Sequence, residues 1–334
     1  MTKVAILGAG NFGFALAYHL GRKHDDSLDI HLYNRNPQVA DFIAATHTHP
    51  KYYPTVELSP AINVTSDLCA AVTSAQVIVL CVISTALPSV LAGCRDQLRP
   101  GVHLVSTIKA LDDHTARPLS ESVRTILPDT SVTFNVLAGG TTGIELTGEQ
   151  YLGATLACQN AADGPALRDI FQSPYLRLQL STDVPGVQYA ASFKNVIAAL
   201  VGLIAGLGFT TGTQIHVLAL ASGECQRVAL SLGAQAATFA PDSQCWGNDM
   251  VMSAISPDTC NRHFGVLLGE GMHFQDACDQ ECRLSKPPES VHTLAALEKL
   301  TDLSAYPLLH FLCQLRDGDV AAHEIIKVIE NYPS

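Results

Sequence analysis

The chain has 334 residues, of which 47% are hydrophobic and 15% are charged. A chain of this length and composition can bury two ordinary cores, which excludes intrinsic disorder. Its 31 acidic and 20 basic residues give a net charge of −11, which excludes a broad nucleic-acid-binding surface because such a surface needs a basic footprint. A small anionic substrate is still compatible, since a few local cations are enough to bind one.

The first half of the chain alternates short apolar segments with helical patterns. Such apolar or β-branched segments are typical of parallel strands that are covered on both faces. They lie at residues 4–7, 30–33, 77–81, 102–106, 132–136 and 154–158. Helices are expected at residues 13–23, 67–72 and 115–126. Residues 42–60 are rich in Pro, His and Tyr and are expected to be irregular. The alternation predicts an open, doubly wound parallel sheet of the α/β class.

The pattern changes after about residue 183. Two long helices are predicted at 187–209 and 213–232, followed by shorter helices without strands. A boundary near Pro185 therefore divides the chain into an α/β domain at 1–184 and an all-α domain at 185–334.

No targeting segment or membrane span is expected. The N-terminal apolar run breaks at once into glycines, which does not fit a signal peptide. The longest apolar run, 196–209, is too short to cross a bilayer and contains three glycines, so it is predicted to be a buried helix. We therefore expect a soluble, cytoplasmic protein.

The ten cysteines include no CxxC pair, which indicates free thiols in a reducing compartment. Two groups of residues are close enough in sequence to suggest a metal site. They are His273 with Cys278 and Cys282, and the pair His47 and His49. The spacing of the first group matches no standard zinc pattern, and the histidine pair lies in the irregular segment 42–60. No metal is therefore expected, and packing or surface positions are favoured.

A glycine-rich loop follows the first predicted strand. Residues 8–13 have the sequence GAGNFG, a GxGxxG motif with a predicted helix behind it. The first glycine allows a tight turn, the second lets a pyrophosphate approach the backbone, and the third lets helix and strand pack closely. The helix N-terminus favours an anion, so the motif predicts a Rossmann domain that binds a dinucleotide. The alternative is a purely structural turn. The loop residues assigned to the cofactor are Gly8, Gly10, Asn11, Phe12 and Gly13.

The end of the second predicted strand indicates which dinucleotide is used. An NAD site usually has Asp or Glu there, bonded to the ribose 2′-hydroxyl, whereas this chain has Asn34 and Arg35. A guanidinium pairs well with a 2′-phosphate, so NADP is favoured and NAD is still possible. The alternative is that Arg35 only stacks on the adenine, which would admit both cofactors.

Several segments along the chain match the motifs of one enzyme family. The loop continues as GAGNFGFALA, close to GxGxWGTALA, and SFKNVIA at 192–198 is similar to KNVIAI, the most specific match. The other matches are YYP and LSP at 52–54 and 58–60 with YLP…LP, STIKALD at 106–112 with TKGLE, GNDMV at 247–251 with GxGDLxxT, and NRHFG at 261–265 with the end of SRNRxFG. Over nearly its whole length the chain thus resembles the NAD(P)-dependent glycerol-3-phosphate dehydrogenases of the soluble bacterial type.

The resemblance implies roles for individual residues. Lys194 is the implied catalytic base, and Lys109 and Asp249 complete the active site. Asn34 and Arg35 are already assigned to the cofactor from the end of the second strand. The further residues implied there are Lys109, Gly143 and Lys286. The residues implied at the substrate are Lys109, Gly139, Thr141, Lys194, Asp249, Thr259, Cys260, Asn261 and Arg262.

The sequence around Lys194 fits such a role. A free lysine has a pKa of ~10.4, too high for a base at neutral pH unless burial or a second cation lowers it. Lys194 is the only Asp, Glu, Lys or Arg between Asp183 and Glu224. We expect burial and Lys109, from the first domain, to lower its pKa, and Asp249 to oppose that shift. The alternative for Lys194 is a surface lysine, and for Lys109 it is a charge at a sheet edge. For Asp249 the alternative is a turn or N-cap residue.

The departures from the family pattern lie mostly at the substrate end. The family's GPTFAKEL is GGTTGIEL at 139–146, so a proline becomes Gly140 and a lysine becomes Ile144. The first arginine of SRNR becomes Cys260. Losing an arginine from an anion site costs about 1.5–3 kcal/mol per charge-assisted hydrogen bond. The candidate replacements are Arg262, Lys286 and helix N–H groups.

Three functions are therefore compatible with the sequence. The first is an NADPH-linked enzyme that reduces dihydroxyacetone phosphate. The second is a divergent relative that reduces another small keto-acid, keto-phosphonate or keto-phosphate, which the altered substrate-end residues favour. The third is a catalytically inactive dinucleotide sensor, which the retained lysines and Asp249 disfavour. The long apolar helices also allow a homodimer.

Overall fold

The computed structural model describes residues 1–23, 27–128, 131–257, 259–282 and 287–333. The chain forms two compact units. Unit 1 consists of Met1–Ile108 and Leu119–Val184, and unit 2 of Lys109–Pro118 and Pro185–Ser334.

Unit 1 is built on an eight-stranded sheet. Its strands are β1 (Thr2–Leu7), β2 (Leu28–Tyr33), β3 (Asn63–Thr65), β4 (Val77–Leu80), β5 (His103–Ser106), β6 (Thr133–Gly139), β7 (Leu152–Cys158) and β8 (Leu176–Ser181). They are ordered β3-β2-β1-β4-β5-β6-β7-β8, which contains the 3-2-1-4-5-6 order of Rossmann sheets. The predicted Rossmann architecture is confirmed, and all six predicted strands are present.

One strand pair departs from the parallel arrangement of the rest of the sheet. Strands β6 and β7 are antiparallel, whereas all the other pairs are parallel. The connection between them holds one five-residue helix, Gly143–Thr147. Parallel neighbours are usually joined by a crossover that contains a long α-helix, whereas antiparallel neighbours need no crossover. The single short helix in this connection fits the antiparallel pair.

The helices of unit 1 cover the sheet. They are α1 (Asn11–Arg22), α2 (Pro37–Thr46), α3 (Leu68–Val72), α4 (Leu87–Cys94), α5 (Leu119–Ile126), α6 (Gly143–Thr147) and α7 (Gly164–Phe171). All four residues of β4 are buried, and Val4, Ile6 and Phe14 lie in the same core. The fully apolar strands thus sit in the centre of the sheet, as parallel strands covered on both faces should.

Two local predictions in unit 1 have wrong boundaries. The segment expected to be irregular from residue 42 begins inside α2, whose start is set by Pro37 and by the Asn36 side chain, which accepts from the Gln38 N–H. The helix expected from residue 115 begins only at Leu119. Pro118 disfavours a helical conformation in the residue before it, and Ala116 has a left-handed φ of 59°.

The described part of unit 2 contains helices and no strand, as predicted for the second domain. Its α-helices are α8 (Val184–Gly206, starting one residue before the unit), α9 (Thr211–Ser231), α10 (Asp249–Ile255), α11 (Cys260–Gly269), α12 (Phe274–Gln280), α13 (Glu289–Leu300), α14 (Pro307–Asp317) and α15 (Ile325–Glu330). The segment Lys109–Pro118, which was predicted to belong to the first domain, groups with these helices. Lys299 of α13 holds it by donating to the Asp113 carbonyl at 3.2 Å.

Helix α8 is the core helix of unit 2. Among the described helices it alone is long and apolar enough to cross a membrane, and 89% of its most apolar window is buried inside the protein. A membrane span was not expected from the sequence because the apolar run was short. The helix has 23 residues, so the feature that identifies it as a core helix is burial and not length.

Helices α8 and α11 cross at backbone contact. A methyl group on Gly202 or Gly206 of α8 would overlap a carbonyl oxygen of α11, and one on Gly265 or Gly269 of α11 would overlap a carbonyl oxygen of α8. Only glycine permits so close an approach. The crossing brings the C-terminal third of α8 next to α11, whose first turn holds several predicted substrate residues.

Candidate active site

The glycine-rich loop of unit 1 has a separate steric requirement at each glycine. Gly8 has a φ of 113°, and a Cβ there would lie 2.6 Å from the Cys81 carbonyl oxygen. A Cβ on Gly13 would overlap the carbonyl oxygen of Gly8, whereas one on Gly10 would meet no described atom within 4 Å. The loop is therefore closed to side chains at its two ends and open at Gly10, as the close approach of a pyrophosphate requires.

Helix α1 begins directly behind this opening. Its N-cap is Gly10, and no side chain among the described residues caps it. The N–H groups of Asn11, Phe12 and Gly13 in its first turn can therefore bind an anion with the help of the helix dipole. The loop is fixed to β2, because the N–H groups of Gly8 and Ala9 both donate to the Tyr33 carbonyl, at 3.0 and 2.9 Å. These features fit the pyrophosphate of a dinucleotide.

The residues after β2 form the predicted adenosine end of the site. Asn34 is held on several sides: its N–H donates to Thr65, its Nδ2 to the Ala9 carbonyl at 3.4 Å, and its Oδ1 accepts the Asn36 N–H at 2.9 Å. Arg35 is exposed. Asn34 therefore shapes the turn, and Arg35 is accessible to a 2′-phosphate. Their roles toward the cofactor stay predictions.

Unit 2 holds a buried cluster of two lysines and one carboxylate. Lys194, in the middle of α8, donates to Asp249 Oδ1 at 2.5 Å and to Ser253 Oγ at 2.8 Å. Lys109 donates to Asp249 Oδ2 at 3.0 Å. Asp249 is the first residue of α10 and Ser253 follows one turn later, on the same face. The three residues implied to be catalytic therefore lie together.

Burial excludes the structural alternatives for two of them. Lys194 is 5% exposed, which rules out a surface lysine, and Asp249 is fully buried. The Asp249 carboxylate binds two ammonium groups and is not an N-cap of α10, whose N-cap is Asn248. A five-residue π-helical turn, Gln244–Asn248, leads into α10 at this point, and such turns are frequent at functional sites.

The surroundings of Lys194 change its proton affinity. Burial lowers the pKa of its ammonium to about 8, because the charged form loses its hydration. The Asp249 carboxylate opposes this shift, and the positive charge of Lys109 adds to it. A lysine with a pKa near 8 can both donate and accept a proton close to neutral pH, as a general acid and base must.

The start of α11 supplies further predicted substrate residues. Asn261 bridges two elements, because its Nδ2 donates to Asn195 Oδ1 at 3.1 Å and its Oδ1 accepts the Ser290 N–H at 2.8 Å. Arg262 donates to the Ala254 carbonyl at 2.9 Å. Cys260 is partly buried at the first helical position. Arg262 is thus engaged in holding α10, which weakens its candidacy as a replacement for the arginine lost at Cys260.

The other predicted residues are distributed over both units. Thr259 precedes α11 and donates to the Ser253 carbonyl at 2.8 Å. Gly139 ends β6, where a Cβ would overlap Ala154 of β7, so strand packing already requires a glycine. Thr141 is buried just beyond it, and Gly143 is the first residue of α6. Lys286 lies outside the described residues.

His49, from one of the two candidate metal sites, is bound to the backbone on both sides of its ring. Its Nε2 bonds the Ala9 carbonyl, and its Nδ1 accepts the N–H groups of Lys51 and Tyr52. In the other candidate site, Cys278 is buried whereas Cys282 is exposed. Among residues 1–23, 27–128, 131–257, 259–282 and 287–333, no three His, Cys, Asp or Glu side chains meet in a way that could hold a metal ion.

Comparison with known proteins places this geometry in a family. The family model for the N-terminus of NAD-dependent glycerol-3-phosphate dehydrogenase matches residues 3–163, and the model for its C-terminus matches residues 183–327. This chain belongs to that family. The predicted family and enzyme class, an NAD(P)-dependent oxidoreductase that acts on a CH–OH group, are therefore confirmed.

Individual members of the glycerol-3-phosphate dehydrogenase family resemble the chain over most of its length. Glycerol-3-phosphate dehydrogenase (NAD(P)+) of Nocardia farcinica is 31% identical over 94% of both chains. The protein of the same name from Thermobifida fusca is 33% identical over 81% of this chain and 80% of its own. The solved structure of the Coxiella burnetii glycerol-3-phosphate dehydrogenase covers 99% of both chains with a TM-score of 0.86 at 22% identity, and so shows the shared fold.

In this member of the glycerol-3-phosphate dehydrogenase family, two polar residues beside the lysine–carboxylate cluster were not predicted from the sequence. Ser253 bonds Lys194, and Asn195 orients Asn261. A signal for Ser253 was available, since it stands four residues after Asp249 and therefore on the same helical face. For Asn195 the only signal was its place in the segment SFKNVIA, which matches the family's KNVIAI. Asn195 follows Lys194 directly in the sequence and is buried, and a buried amide nearly always has a hydrogen-bond partner.

Proposed function

We propose that this chain reduces dihydroxyacetone phosphate, or a closely related small phosphorylated ketone, with NADPH, and oxidises the alcohol in the reverse direction. The observation that carries the proposal is the buried ammonium of Lys194, held by Asp249 and Ser253 beside a second lysine. Two cations around one carboxylate leave the cluster with a net positive charge. Such a site suits an anionic substrate and polarises a carbonyl oxygen.

The residues of unit 2 handle the proton. When bound, the reduced nicotinamide supplies the hydride that adds to the carbonyl carbon. As negative charge develops on the carbonyl oxygen, Lys194 Nζ gives it a proton and becomes a neutral amine. Asp249 keeps Nζ in place, and Lys109 stabilises the developing oxyanion. In the oxidation direction the neutral amine accepts the hydroxyl proton, so the same atom serves as the base.

The choice of dinucleotide follows from the turn after β2. Arg35 is exposed and can pair with a 2′-phosphate, and Asn34 holds its own position through three hydrogen bonds. We therefore propose NADP as the preferred cofactor, with NAD as a poorer one. Gly8, Gly10, Asn11, Phe12, Gly13 and Gly143 are the further residues proposed at the cofactor.

One observation favours a second candidate function. Cys260 replaces the family's arginine, and Arg262 is engaged with Ala254. A substrate that carries a smaller or differently placed anionic group, such as a keto-acid or a keto-phosphonate, would not need that arginine. This candidate keeps the same dinucleotide and the same proton transfer by Lys194, and differs only in the group that Thr259, Cys260 and Asn261 would contact.

The experiment that tests the proposal is the oxidation of NADPH by the purified protein with dihydroxyacetone phosphate. We expect turnover with a kcat/KM in the usual enzyme range, about 10⁴–10⁸ M⁻¹s⁻¹. NADH in place of NADPH should lower kcat/KM. Turnover only with a keto-acid or keto-phosphonate would favour the second candidate. Dinucleotide binding without turnover of any of these ketones would contradict both and identify a sensor.

The pH profile provides an independent test of Lys194. Because its pKa is about 8, kcat/KM for the oxidation of glycerol 3-phosphate should rise with pH and reach half its maximum near pH 8, where half of the amine is neutral. The reduction of the ketone needs the ammonium and should fall above the same pH.

Two variants should move this midpoint in opposite directions. Asp249→Asn removes the charge that stabilises the ammonium, so the midpoint should move to lower pH. Lys109→Met removes the repelling cation, so the midpoint should move to higher pH. Initial rates between pH 6 and 10 measure both midpoints. On the sloping part of each profile the rate should change about tenfold per pH unit. Shifts in the same direction would contradict the role of Lys194.

We also propose a cytoplasmic location and a homodimer. All ten cysteines are free thiols, which suits a reducing compartment. Ile215 and Ile255 of unit 2 are exposed apolar side chains that a dimer contact would cover. Size-exclusion chromatography with light scattering measures the mass in solution and tests the dimer.

A further inference from the structure

The N-terminus of α1 carries a contact that the general dinucleotide motif does not require. The Tyr53 hydroxyl donates a hydrogen bond to Oδ1 of Asn11, the first residue of α1. Gly143, the first residue of α6, lies against both groups. A Cβ at position 143 would overlap the Tyr53 hydroxyl and the Asn11 amide oxygen. Three residues that are far apart in sequence therefore fit together only because one of them is a glycine.

The Tyr53 ring is held firmly in this position. It stacks on Phe14 of α1, with centroids 5.3 Å apart and planes 13° apart. Its backbone pairs with that of His49 in an isolated β-bridge. His49 Nδ1 accepts two backbone N–H groups, so Nε2 carries the proton and donates to the Ala9 carbonyl in the glycine-rich loop at 3.0 Å. The segment that carries Tyr53 is thus fastened to the dinucleotide loop itself.

Both members of this contact differ from the family pattern. In the matching segments, Tyr53 stands where YLP has leucine, and Gly143 stands where GPTFAKEL has alanine. Leucine has no hydroxyl to give Asn11, and alanine carries the methyl group that this geometry excludes. The two differences are sterically complementary, because the hydroxyl of one occupies the space that the methyl of the other would take.

The bond also orients the Asn11 amide. Because Oδ1 accepts from Tyr53, the amide presents its NH₂ group as the end that can donate to a ligand. Asn11 is exposed at the N-terminus of α1, beside the opening at Gly10. A donor at that point adds to the N–H groups that already favour a phosphate.

We propose that Tyr53 and Gly143 form a coupled pair of positioning residues that turns the Asn11 amide toward the dinucleotide phosphates. This inference rests on the proposed dinucleotide site. It predicts that Tyr53→Leu and Gly143→Ala each weaken dinucleotide binding. The double variant should lose less binding free energy than the sum of the two single losses.

A double-mutant cycle tests this coupling directly. The Kd of NADPH, followed by its fluorescence in the absence of ketone, is measured for wild type, Tyr53→Leu, Gly143→Ala and the double variant. We expect about a three- to tenfold weaker Kd for Tyr53→Leu, the loss of one hydrogen bond. Gly143→Ala should weaken binding at least as much in the wild-type background, because the methyl displaces the hydroxyl and the amide. In the Tyr53→Leu background the same change should have an effect of less than about twofold.

Three further measurements make the result decisive. Tyr53→Phe keeps the ring stack and removes only the hydroxyl, so it should weaken binding about as much as Tyr53→Leu. Tyr18→Phe, elsewhere on α1, is the matched control and should leave Kd unchanged. The thermal midpoint of each ligand-free variant shows whether it folds. Equal effects of Gly143→Ala in both backgrounds, among folded variants, would overturn the coupling. A wild-type protein that binds no dinucleotide would instead overturn the proposed function.

Discussion

Replacing Lys194 with methionine should lower kcat by about 10²- to 10⁴-fold, the contribution of a positioned general acid and base. Methionine has nearly the length of lysine and suits the buried environment of α8, so the fold should persist. Asp249 keeps one partner in this variant, because Lys109 still donates to it at 3.0 Å. The Kd of NADPH should be unchanged, since the proposed dinucleotide residues around Gly10 lie in unit 1, whereas Lys194 belongs to unit 2.

Steady-state rates with dihydroxyacetone phosphate and NADPH fluorescence titration measure the two quantities separately. Lys327→Met is the matched control, because Lys327 is an exposed lysine of the same unit that pairs only with Glu324 among its described contacts. It should retain wild-type kcat. If Lys194→Met kept more than about a tenth of the wild-type kcat, Lys194 could not be the proton-transfer residue.

Restoring an arginine at position 260 should produce the second large effect. Cys260 is the first residue of α11 and partly buried, at the position of the family's first SRNR arginine. An arginine there can make charge-assisted hydrogen bonds to a phosphate, worth about 1.5–3 kcal/mol each. We therefore expect Cys260→Arg to lower KM for dihydroxyacetone phosphate by about ten- to a hundredfold. The value of kcat should change much less.

Two comparisons separate charge recognition from side-chain size. Cys260→Gln introduces a long neutral side chain and should lower KM little. Unphosphorylated dihydroxyacetone, which lacks the anion, should gain nothing from Cys260→Arg. An equal gain for the arginine and glutamine variants would show that packing, not phosphate binding, is limited by Cys260. No gain for arginine would show that this chain binds the substrate anion elsewhere.

The parts of the fold that followed from the sequence are those set by local patterns. The six apolar strands and the two long helices after residue 183 were predictable because burial on both faces imposes a continuous hydrophobic run. Strands β3 and β8 were missed. The first is a three-residue segment with partly polar character, and the second alternates its polarity at the edge of the sheet. Edge strands have a weaker pattern because one side faces solvent.

The residues of the candidate active site could be named from the sequence, but their geometry could not. Matching segments singled out Lys109, Lys194 and Asp249, and the absence of other charges around Lys194 indicated its burial. Nothing local indicated that Lys109 would group with unit 2, or that Ser253 would bond Lys194. Both depend on long-range packing, since Lys109 is 140 positions from Asp249 and Ser253 is 59 positions from Lys194.

By itself, the sequence determined the fold class and the glycine-rich loop, and it singled out Lys194 as the proposed proton-transfer group, because each is encoded by residues that are close together in the chain. Only the tertiary structure decided how polar groups were paired: Lys194 with Asp249 and Ser253, and Tyr53 with Asn11 beside Gly143. The physical reason is that a lysine pKa near 8 and an oriented amide are properties of the surroundings. Those surroundings exist only once distant segments have packed and excluded water.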